Sequence, residues 1–332
     1  MKKYLIKYKW PLGGLALLVV ITGLFFSWNS LTISSESKAE LPKMNYPASN
    51  FSGENCEGSG SRPLAVMVSS DPEARPLSAI SQADLVFEMP VTPNGVTRMM
   101  AVFQCNQPAE IGSVRSARED FIPLALGINA VYAHFGGEKT ALEELNGGVI
   151  DNIDGLKYDG TIYYRKSGIP RPHNSFTSYA LVKQSMITNQ YEWKNSNRTP
   201  QYPHTDPART LGVQAGPTLY TNLTQFKVSW QYDRVNNSYL RTRGGRIELD
   251  RNTNQTVAAK NIVVMNTTWS PISKDYLRVK TVGGGTIKLY QNGEVVDGTW
   301  EKKDDKAKLI FYDVNHKELK FVPGPIWVEI AI

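Results

Sequence analysis

Hydrophobic residues are concentrated near the start of the chain, where they form one unbroken segment. No charged residue occurs between Trp10 and Ser35, and the apolar centre runs from Leu12 to Trp28. At about 1.5 Å per helical residue, this run has roughly the length that crosses a bilayer. The pattern therefore predicts a single transmembrane helix over residues 10–28, bracketed by tryptophans of the kind found at membrane interfaces.

The residues before this helix predict its orientation. Residues 1–9 contain four lysines and no acid, and the positive-inside rule places such a basic tail in the cytoplasm. The protein is then a single-pass plasma-membrane protein, anchored by its N-terminal helix, with its bulk extracytoplasmic. The alternative is a signal peptide cleaved near Ser37–Ala39, a site that lies far beyond the apolar run. Both interpretations export the rest of the chain.

Strand-like and helix-like segments alternate in the first part of the exported region. Residues 29–60 are rich in Ser, Asn, Glu, Gly and Pro, and this composition predicts a flexible stalk. Buried-strand patterns then alternate with helical ones: LAVMV, DLVFEM, VTRMMAVFQC and AVYAHF with FIPLALGI and EKTALEEL. This alternation predicts an α/β domain over residues 61–195.

The pattern changes in the second half of the chain. A polar, proline-rich stretch predicts a linker over residues 196–209. Beyond it most segments are strand-like, among them FKVSWQYD, NIVVMNTTW, KLIFYD and IWVEI. Asn292-Gly293 between two such segments is a strong signal of a two-residue hairpin. Residues 210–332 are therefore predicted to form a mostly antiparallel, β-rich C-terminal domain.

The charge distribution limits the partners of the exported region. The formal net charge is +6, and the lysines of residues 1–9 supply four of these charges, which leaves +2 for the rest. A nearly neutral region has no general field that attracts polyanions, so nucleic acid is not expected as a partner. Any anion-binding site must then be local.

The two cysteines, Cys56 and Cys105, both lie in the exported region. An oxidising compartment permits a disulfide between them, and we predict one. The alternative is a pair of buried free thiols. Neither cysteine belongs to a Cys-x-x-Cys pair, so the sequence does not support redox catalysis or a zinc cage.

The first candidate binding segment is IGSVRSARED. Arg115 and Arg118 are three residues apart, Ser116 lies between them, and Gly112 permits a turn. A loop that offers two guanidinium groups and backbone N–H donors suits a phosphate or a carboxylate. The alternative is that the two arginines are solvated or paired with the acidic residues that follow them.

The second candidate is the end of the strand AVYAHF. His134 occurs at its carboxyl end and is followed by Gly136 and Gly137. Ligands of α/β sheets bind beyond the carboxyl ends of strands, and glycines allow a ligand to approach the backbone. The alternative is a structural histidine that satisfies nearby backbone groups.

The third candidate is a loop dense in polar side chains. It contributes Arg165, His173 and Asn174, and such loops carry sites more often than they serve as spacers. Glu88, at the end of its strand, is a candidate carboxylate facing this loop. A plain salt bridge between Glu88 and an arginine is the simpler role.

Several catalytic signatures are absent from the sequence. There is no Gly-x-Ser-x-Gly, no His-Glu-x-x-His, no phosphate-loop motif and no dinucleotide-binding glycine motif. The four histidines do not show metal-ligand spacing. The sequence therefore predicts no cofactor and no metal, and it leaves open whether the protein is an enzyme.

Residues 62–332 contain a combination of short stretches: RPLAVMVSS, ARPLSAISQADLVFE, GVTRMMAVFQ, IGSVRSARED, VYAHFGG, the Tyr164-Arg165 pair, PHNSFTS, QYDRVNNSYLR, NIVVM, VGGGTIKLYQNGEVVDGTW and PGPIWVEI. In this combination the chain resembles the YerB-like family of bacterial envelope lipoproteins, a two-domain family of unknown function. The resemblance implies two domains and an exported location, and it implies no reaction.

The chain departs from that family in two places. Family members often carry a lipid-modified cysteine just after the signal, whereas Cys56 lies far beyond the apolar segment. An anchoring helix is therefore expected to replace the lipid. Ser113 stands where the family pattern Gly-Pro-x-Arg-Ser has proline.

Three functions fit these patterns. The first is binding of an anionic or sugar-containing envelope ligand, such as a cell-wall polymer, through Arg115, Arg118, His134, Arg165 and His173. The second is a cell-envelope hydrolase or transferase in which His134 or His173 acts as acid or base with Glu88 as its carboxylate. The third is a scaffold that docks another envelope protein on exposed strand edges.

Overall fold

The computed structural model describes residues 46–195, 201–205 and 211–332. Within these ranges, no helix has both the length and the apolar character needed to cross a membrane. The predicted basic tail at residues 1–9 and the predicted anchor at residues 10–28 lie outside the described residues. Both therefore stay predictions.

The described part of the chain is dominated by strands. The helices are α1 (Ile122–Gly127), α2 (Lys139–Asn146), α3 (Gly155–Tyr158) and α4 (Tyr179–Thr188). The strands are β1 (Leu64–Ser69), β2 (Leu85–Pro90), β3 (Thr97–Phe103), β4 (Ile111–Gly112), β5 (Val131–His134), β6 (Asn152–Asp154), β7 (Tyr164–Arg165), β8 (Ser175–Thr177), β9 (Thr218–Leu219), β10 (Val228–Asp233), β11 (Ser238–Arg243), β12 (Arg246–Ile247), β13 (Ala258–Ala259), β14 (Asn261–Asn266), β15 (Trp269–Pro271), β16 (Leu277–Val279), β17 (Gly283–Gln291), β18 (Glu294–Lys302), β19 (Ile310–Asp313) and β20 (Ile326–Ala331).

A ten-stranded mixed sheet runs through both halves of the chain. Its strand order is β19-β18-β17-β14-β20-β2-β3-β1-β5-β6. The last strand, β20, lies parallel to both β14 and β2, with Trp327 opposite Ile262 on one side and Val86 on the other. The α/β segment and the β-rich segment that the sequence predicts are therefore joined through one sheet, since β20 completes the core of the first segment.

The two faces of the central strands are covered by different layers. Successive side chains of a strand point to opposite faces, so Leu85, Phe87 and Met89 pack towards α1 and α2. Val86 lies on the other face, in the core that holds Trp230 of the small sheet β12-β11-β10-β9. Strands enclosed in this way are apolar along their whole length, as the sequence patterns indicate.

The predicted flexible stalk at residues 29–60 is wrong for the part that the structure describes. From residue 46 onwards the chain is folded onto the sheet: Phe51 is 1% exposed, and Ser49 Oγ donates to Gln104 Oε1 at 2.9 Å. The structure contains the predicted disulfide between Cys56 and Cys105, which fixes this segment. One buried aromatic residue and one cross-link hold a segment whose composition is that of a linker.

Part of the predicted linker at residues 196–209 is also packed. Tyr202 is 1% exposed, and its ring lies 5.7 Å from the ring of Phe311 and 5.3 Å from that of Phe321. Residues 201–205 therefore contact the C-terminal half of the chain, because the Tyr202 ring and backbone hydrogen bonds with Phe321 fix an otherwise polar stretch.

Candidate anion-binding site

The loop that carries Arg115 and Arg118 lies at the carboxyl ends of two parallel strands. β1 and β5 run side by side, and beyond their paired residues Val114 forms a bridge with Val68 of β1. The Arg115 N–H donates to Met67 O at 2.8 Å, and the Phe135 N–H donates to Arg115 O at 3.0 Å. The loop is thus clamped between the strand ends, the place where α/β sheets bind ligands.

A third arginine, Arg98 of β3, enters the same place from the sheet. Arg98 lies opposite Ser69 at the end of β1 and is 4% exposed. Among the residues that the structure describes, its Nε and Nη1 atoms have no hydrogen-bond partner. Burial, together with the positive charges of Arg115 and Arg118, lowers the pKa of Arg98 to about 9.

Arg115 and Arg118 also keep unused donors. Arg115 Nη1 donates to Pro172 O at 3.3 Å and Arg118 Nη1 to Ala117 O at 3.0 Å, whereas the Nε atom of each has no partner in the described part of the chain. Burial lowers the pKa of Arg115. No carboxylate of residues 46–195, 201–205 or 211–332 lies within 4.0 Å of any of these guanidinium groups. We refer to Arg98, Arg115 and Arg118 as the arginine cluster.

Asp71 and His173 border the arginine cluster. Asp71 Oδ2 accepts a hydrogen bond from Ser69 Oγ at 2.6 Å and lies 3.9 Å from His173 Nδ1. Burial alone would raise the pKa of Asp71, but the charge of Arg98 and the hydrogen bond from Ser69 have the larger effect. The pKa of Asp71 is therefore lowered, and its carboxylate is ionised at pH 7. Burial and the charge of Arg115 lower the pKa of His173. One negative charge therefore faces three positive ones.

The C-terminal half of the chain supplies another wall of the site. The guanidinium carbon of Arg118 lies 5.1 Å from the ring centre of Tyr276, in the hairpin formed by β15 and β16. The hairpin is fixed to the loop because Asp120 Oδ2 accepts from the Val279 N–H at 2.8 Å and Glu119 pairs with Arg278. Both halves of the chain thus define the position of Arg118.

The prediction of a ligand or catalytic role for His134 is not borne out by its contacts. His134 is fully buried, with Nδ1 2.8 Å from Gly136 O and Nε2 3.3 Å from Asn152 Oδ1. The Gly136 N–H donates to Asp154 Oδ1, and Gly137 forms a bridge with Ala117. Because these groups satisfy one another, His134, Gly136 and Gly137 shape the loop and leave no ring nitrogen for a ligand.

Arg165 and Asn174, also predicted to bind the ligand, contact each other. Arg165 donates to Asp159 Oδ2 at 3.0 Å and to Asn174 Oδ1 at 3.0 Å, and it stacks 4.1 Å over the ring of Phe135. Its charge is therefore balanced by Asp159. Of the nine predicted ligand-binding residues, the structure brings Arg115, Arg118 and His173 together around unused donors, with Ser116 half-buried between the two arginines.

The prediction that Glu88 assists a histidine is wrong. Glu88 is fully buried and accepts from Arg243 Nη1 at 2.8 Å and Nη2 at 2.7 Å, and it also pairs with Arg241. Glu88 lies opposite Met99, whereas the neighbouring residue Arg98 lies opposite Met89. Because neighbours on a strand face opposite sides, Glu88 lies on the face of the sheet away from Arg98. The simpler role, a salt bridge with arginine, is the one observed.

The chain matches two family models that together cover most of its described residues. The first, "Protein of unknown function (DUF3048) N-terminal domain", matches residues 51–192, and the second, the corresponding C-terminal domain, matches residues 217–328. The chain belongs to the DUF3048 family. A Bacillus subtilis (strain 168) protein named "Putative lipoprotein YerB" is 32% identical over an alignment of 311 residues, and the match covers 91% of this chain and 91% of that protein.

A solved relative has the same fold. The crystal structure of YerB from Bacillus subtilis superimposes with a TM-score of 0.76 at 32% identity, and the match covers 85% of this chain and 96% of that one. The resemblance to the YerB-like family is therefore confirmed. The two DUF3048 domains are halves of a protein whose main sheet, in this chain, passes through both.

Three residues of the candidate site were not found from the sequence. Arg98 is a single charge inside the apolar segment VTRMMAVFQC, and a buried charge in a strand is the signal that points to it. Asp71 follows the first strand directly, in the loop after it. Tyr276 lies in the other half of the sequence, and no local pattern connects it with Arg118.

The described residues of this DUF3048 chain show no grouping of three or more His, Cys, Asp or Glu side chains able to hold a metal ion. The chemistry that the site offers is hydrogen bonding by charged donors. Guanidinium groups form paired hydrogen bonds with the oxygens of carboxylates and phosphates.

Proposed function

We propose that this protein is an extracytoplasmic envelope protein that binds an anionic ligand through the arginine cluster. The observation that carries the proposal is the unpaired, buried guanidinium of Arg98. Removing a charge from water without a partner is destabilising by several kcal/mol. A ligand that supplies the missing negative charge accounts for the presence of Arg98 in the core.

The same protein shows how a buried arginine is stabilised when no ligand is involved. Arg241 is fully buried and pairs with Glu88, Glu248 and Glu329, and its guanidinium carbon lies 3.9 Å from the ring centre of Trp327. Arg243 shares Glu88 and Glu248. Arg98 has no such set of carboxylates, so its environment differs in kind from that of a structural arginine.

Three observations support a location in the envelope. A relative is named as a lipoprotein, the disulfide between Cys56 and Cys105 suits an oxidising compartment, and the apolar residues 10–28 would anchor the chain to the membrane. We therefore place the ligand among the anionic or sugar-containing components of the envelope, of which cell-wall polymers are the first to test.

The test is co-sedimentation of the full-length protein with purified, insoluble wall polymer at fixed ionic strength. The wild-type chain should sediment with the polymer, and Arg115→Gln and Arg98→Gln should reduce the bound fraction severalfold. Arg246→Gln is the matched control, because Arg246 is an exposed arginine in β12, and it should bind like wild type. Equal binding by all four proteins would contradict a role for the arginine cluster.

A further inference from the structure

The charges around the arginine cluster indicate the charge of the ligand. Three guanidinium groups contribute three positive charges, and Asp71 is held ionised and contributes one negative charge. The lowered pKa of His173 keeps its ring neutral at pH 7. The site therefore carries a net charge of about +2, since arginine keeps its proton in proteins. A dianion neutralises it, whereas a carboxylate or a phosphodiester, each with one negative charge, leaves one positive charge buried.

The unused donors indicate the shape of the ligand. Four guanidinium nitrogens are buried without a partner in the described residues: Arg98 Nε, Arg98 Nη1, Arg115 Nε and Arg118 Nε. They belong to three side chains, one on a strand and two on a loop. A carboxylate offers two oxygens in one plane, whereas a terminal phosphate offers three oxygens arranged around the phosphorus.

The burial of Arg98 indicates which end of the ligand enters. Arg98 is 4% exposed, whereas Arg115 and Arg118 are half-buried and reach the surface. A group that contacts all three therefore has its innermost atoms at Arg98. A phosphodiester is substituted on both sides and continues as a chain, but a phosphate monoester is a terminus.

From the charge balance, the unpaired donors and the burial of Arg98, we infer that the arginine cluster binds the dianionic phosphate of a monoester. The inference rests on the proposed function and specifies its ligand. The phosphate can belong to a soluble molecule or to a lipid head group, and the chemistry at the site is the same for both.

The first experiment compares small anions by calorimetric titration of the full-length protein at pH 7.5 and constant ionic strength. Methyl phosphate should bind at least tenfold more tightly than dimethyl phosphate or acetate. Arg98→Gln should weaken methyl phosphate binding about 10- to 100-fold, which corresponds to about 1.4 to 2.8 kcal/mol. Arg118→Gln provides a second variant at a half-buried position, and Arg246→Gln should leave the affinity unchanged.

The second experiment separates the two sources of phosphate. Inorganic phosphate is one probe, and phosphatidylcholine vesicles containing phosphatidic acid, a monoester, are the other. Matched vesicles containing phosphatidylglycerol, a diester, are the control. Capture on phosphatidic acid vesicles identifies a lipid head group, and binding of inorganic phosphate without capture identifies a soluble ligand. Equal capture on both vesicles overturns the inference.

The outcomes distinguish this inference from the proposed function. If acetate and dimethyl phosphate bind as tightly as methyl phosphate, and Arg98→Gln weakens the binding of all three anions, the cluster binds anions without preference for a dianion. The inference of a monoester ligand then fails, and the proposed function stands. If methyl phosphate binds equally to wild type, Arg98→Gln and Arg118→Gln, the cluster is not the binding site and both fail. If no small anion binds, the inference fails, and the wall-polymer assay decides the proposed function.

Discussion

We expect that replacing the buried residue Arg98 by an apolar side chain stabilises the folded protein. Its guanidinium is enclosed by the sheet and has no carboxylate within 4.0 Å among the described residues. Arg98→Met keeps an unbranched chain that fills much of the same space and removes the charge. Replacement of buried charges by apolar groups of similar volume is neutral or stabilising by about 1–4 kcal/mol.

The magnitude follows from the electrostatic environment. Burial and the neighbouring arginines lower the pKa of Arg98 to about 9, and each pH unit corresponds to about 1.4 kcal/mol of destabilisation of the charged form. The full penalty is thus about 4 to 5 kcal/mol. Because the Arg98 side chain also makes packing contacts that methionine reproduces only in part, we expect a gain of about 1–3 kcal/mol in the free energy of unfolding.

Arg241→Met is the matched control, because Arg241 is equally buried but paired. Its removal leaves Glu329 without a paired cation among the described residues and leaves Glu88 paired with Arg243 alone. Breaking a buried ion pair in this way destabilises by about 3–5 kcal/mol. The two variants carry the same substitution and the same change in net charge. They should therefore move the free energy of unfolding in opposite directions.

The assay is urea denaturation of the full-length protein in a buffer without multivalent anions. A saturating anion should then stabilise wild type by an amount set by ligand concentration over Kd, about 2.7 kcal/mol at a hundredfold excess, and should leave Arg98→Met unchanged. If Arg98→Met destabilises the protein as much as Arg241→Met does, then Arg98 is a structural residue. That result would refute the claim that its unpaired charge destabilises the folded protein.

Three further predictions follow from single contacts. Tyr276→Ala should weaken anion binding about two- to fivefold, because a partly exposed cation–π contact with Arg118 contributes about 0.5–1 kcal/mol. Tyr276→Phe keeps the ring and should bind like wild type in the same titration. Equal affinities of the two variants would contradict a role for this contact. Burial raises the pKa of Asp84 to about 6, so the folded state holds this proton more tightly than the unfolded state. As pH rises from about 4 to 6, wild type should lose up to about 3 kcal/mol of unfolding free energy relative to Asp84→Asn, and parallel pH profiles would contradict this. Cys56→Ser with Cys105→Ser should lower the free energy of unfolding by about 4 kcal/mol, since the disulfide closes a 49-residue loop; an unchanged denaturation midpoint would show that the bridge does not constrain the unfolded chain.

Local structure was predictable where the apolar pattern is regular. The segment EKTALEEL includes all but the last residue of helix α2 (Lys139–Asn146), and LAVMV lies within β1 (Leu64–Ser69). These segments owe their structure to their own periodicity and to local turn residues. The hairpin at Asn292-Gly293 joins β17 to β18 as the sequence indicates, with Gln291 opposite Glu294.

The order of the strands in the sheet was not predictable, although their continuous apolar sequences made the strands themselves easy to find. A strand enclosed on both faces is apolar at every position, so its sequence does not say which strands lie beside it. IWVEI, at the end of the chain, pairs with β14 and with β2, which is more than 200 residues away in sequence. The sharing of one sheet between the two halves of the chain follows from this pairing.

The site residues in the loop were predictable from the sequence, whereas the site residue in the sheet was not. Arg115 and Arg118 occupy a loop after a turn, where two guanidinium groups close in sequence indicate an anion-binding site. Arg98 lies within an apolar strand, and its significance depends on where every carboxylate is located in space. Glu88 shows the converse, since its partners Arg241 and Arg243 are about 150 residues distant and approach from a separate sheet.

The most direct test of the central claim is a crystal structure of the protein grown with selenate, with anomalous scattering used to locate the selenium. We expect a selenium peak within the arginine cluster, with selenate oxygens about 3 Å from the unpaired nitrogens of Arg98, Arg115 and Arg118. A structure in which selenate binds only elsewhere, and in which a carboxylate pairs with Arg98, would contradict it.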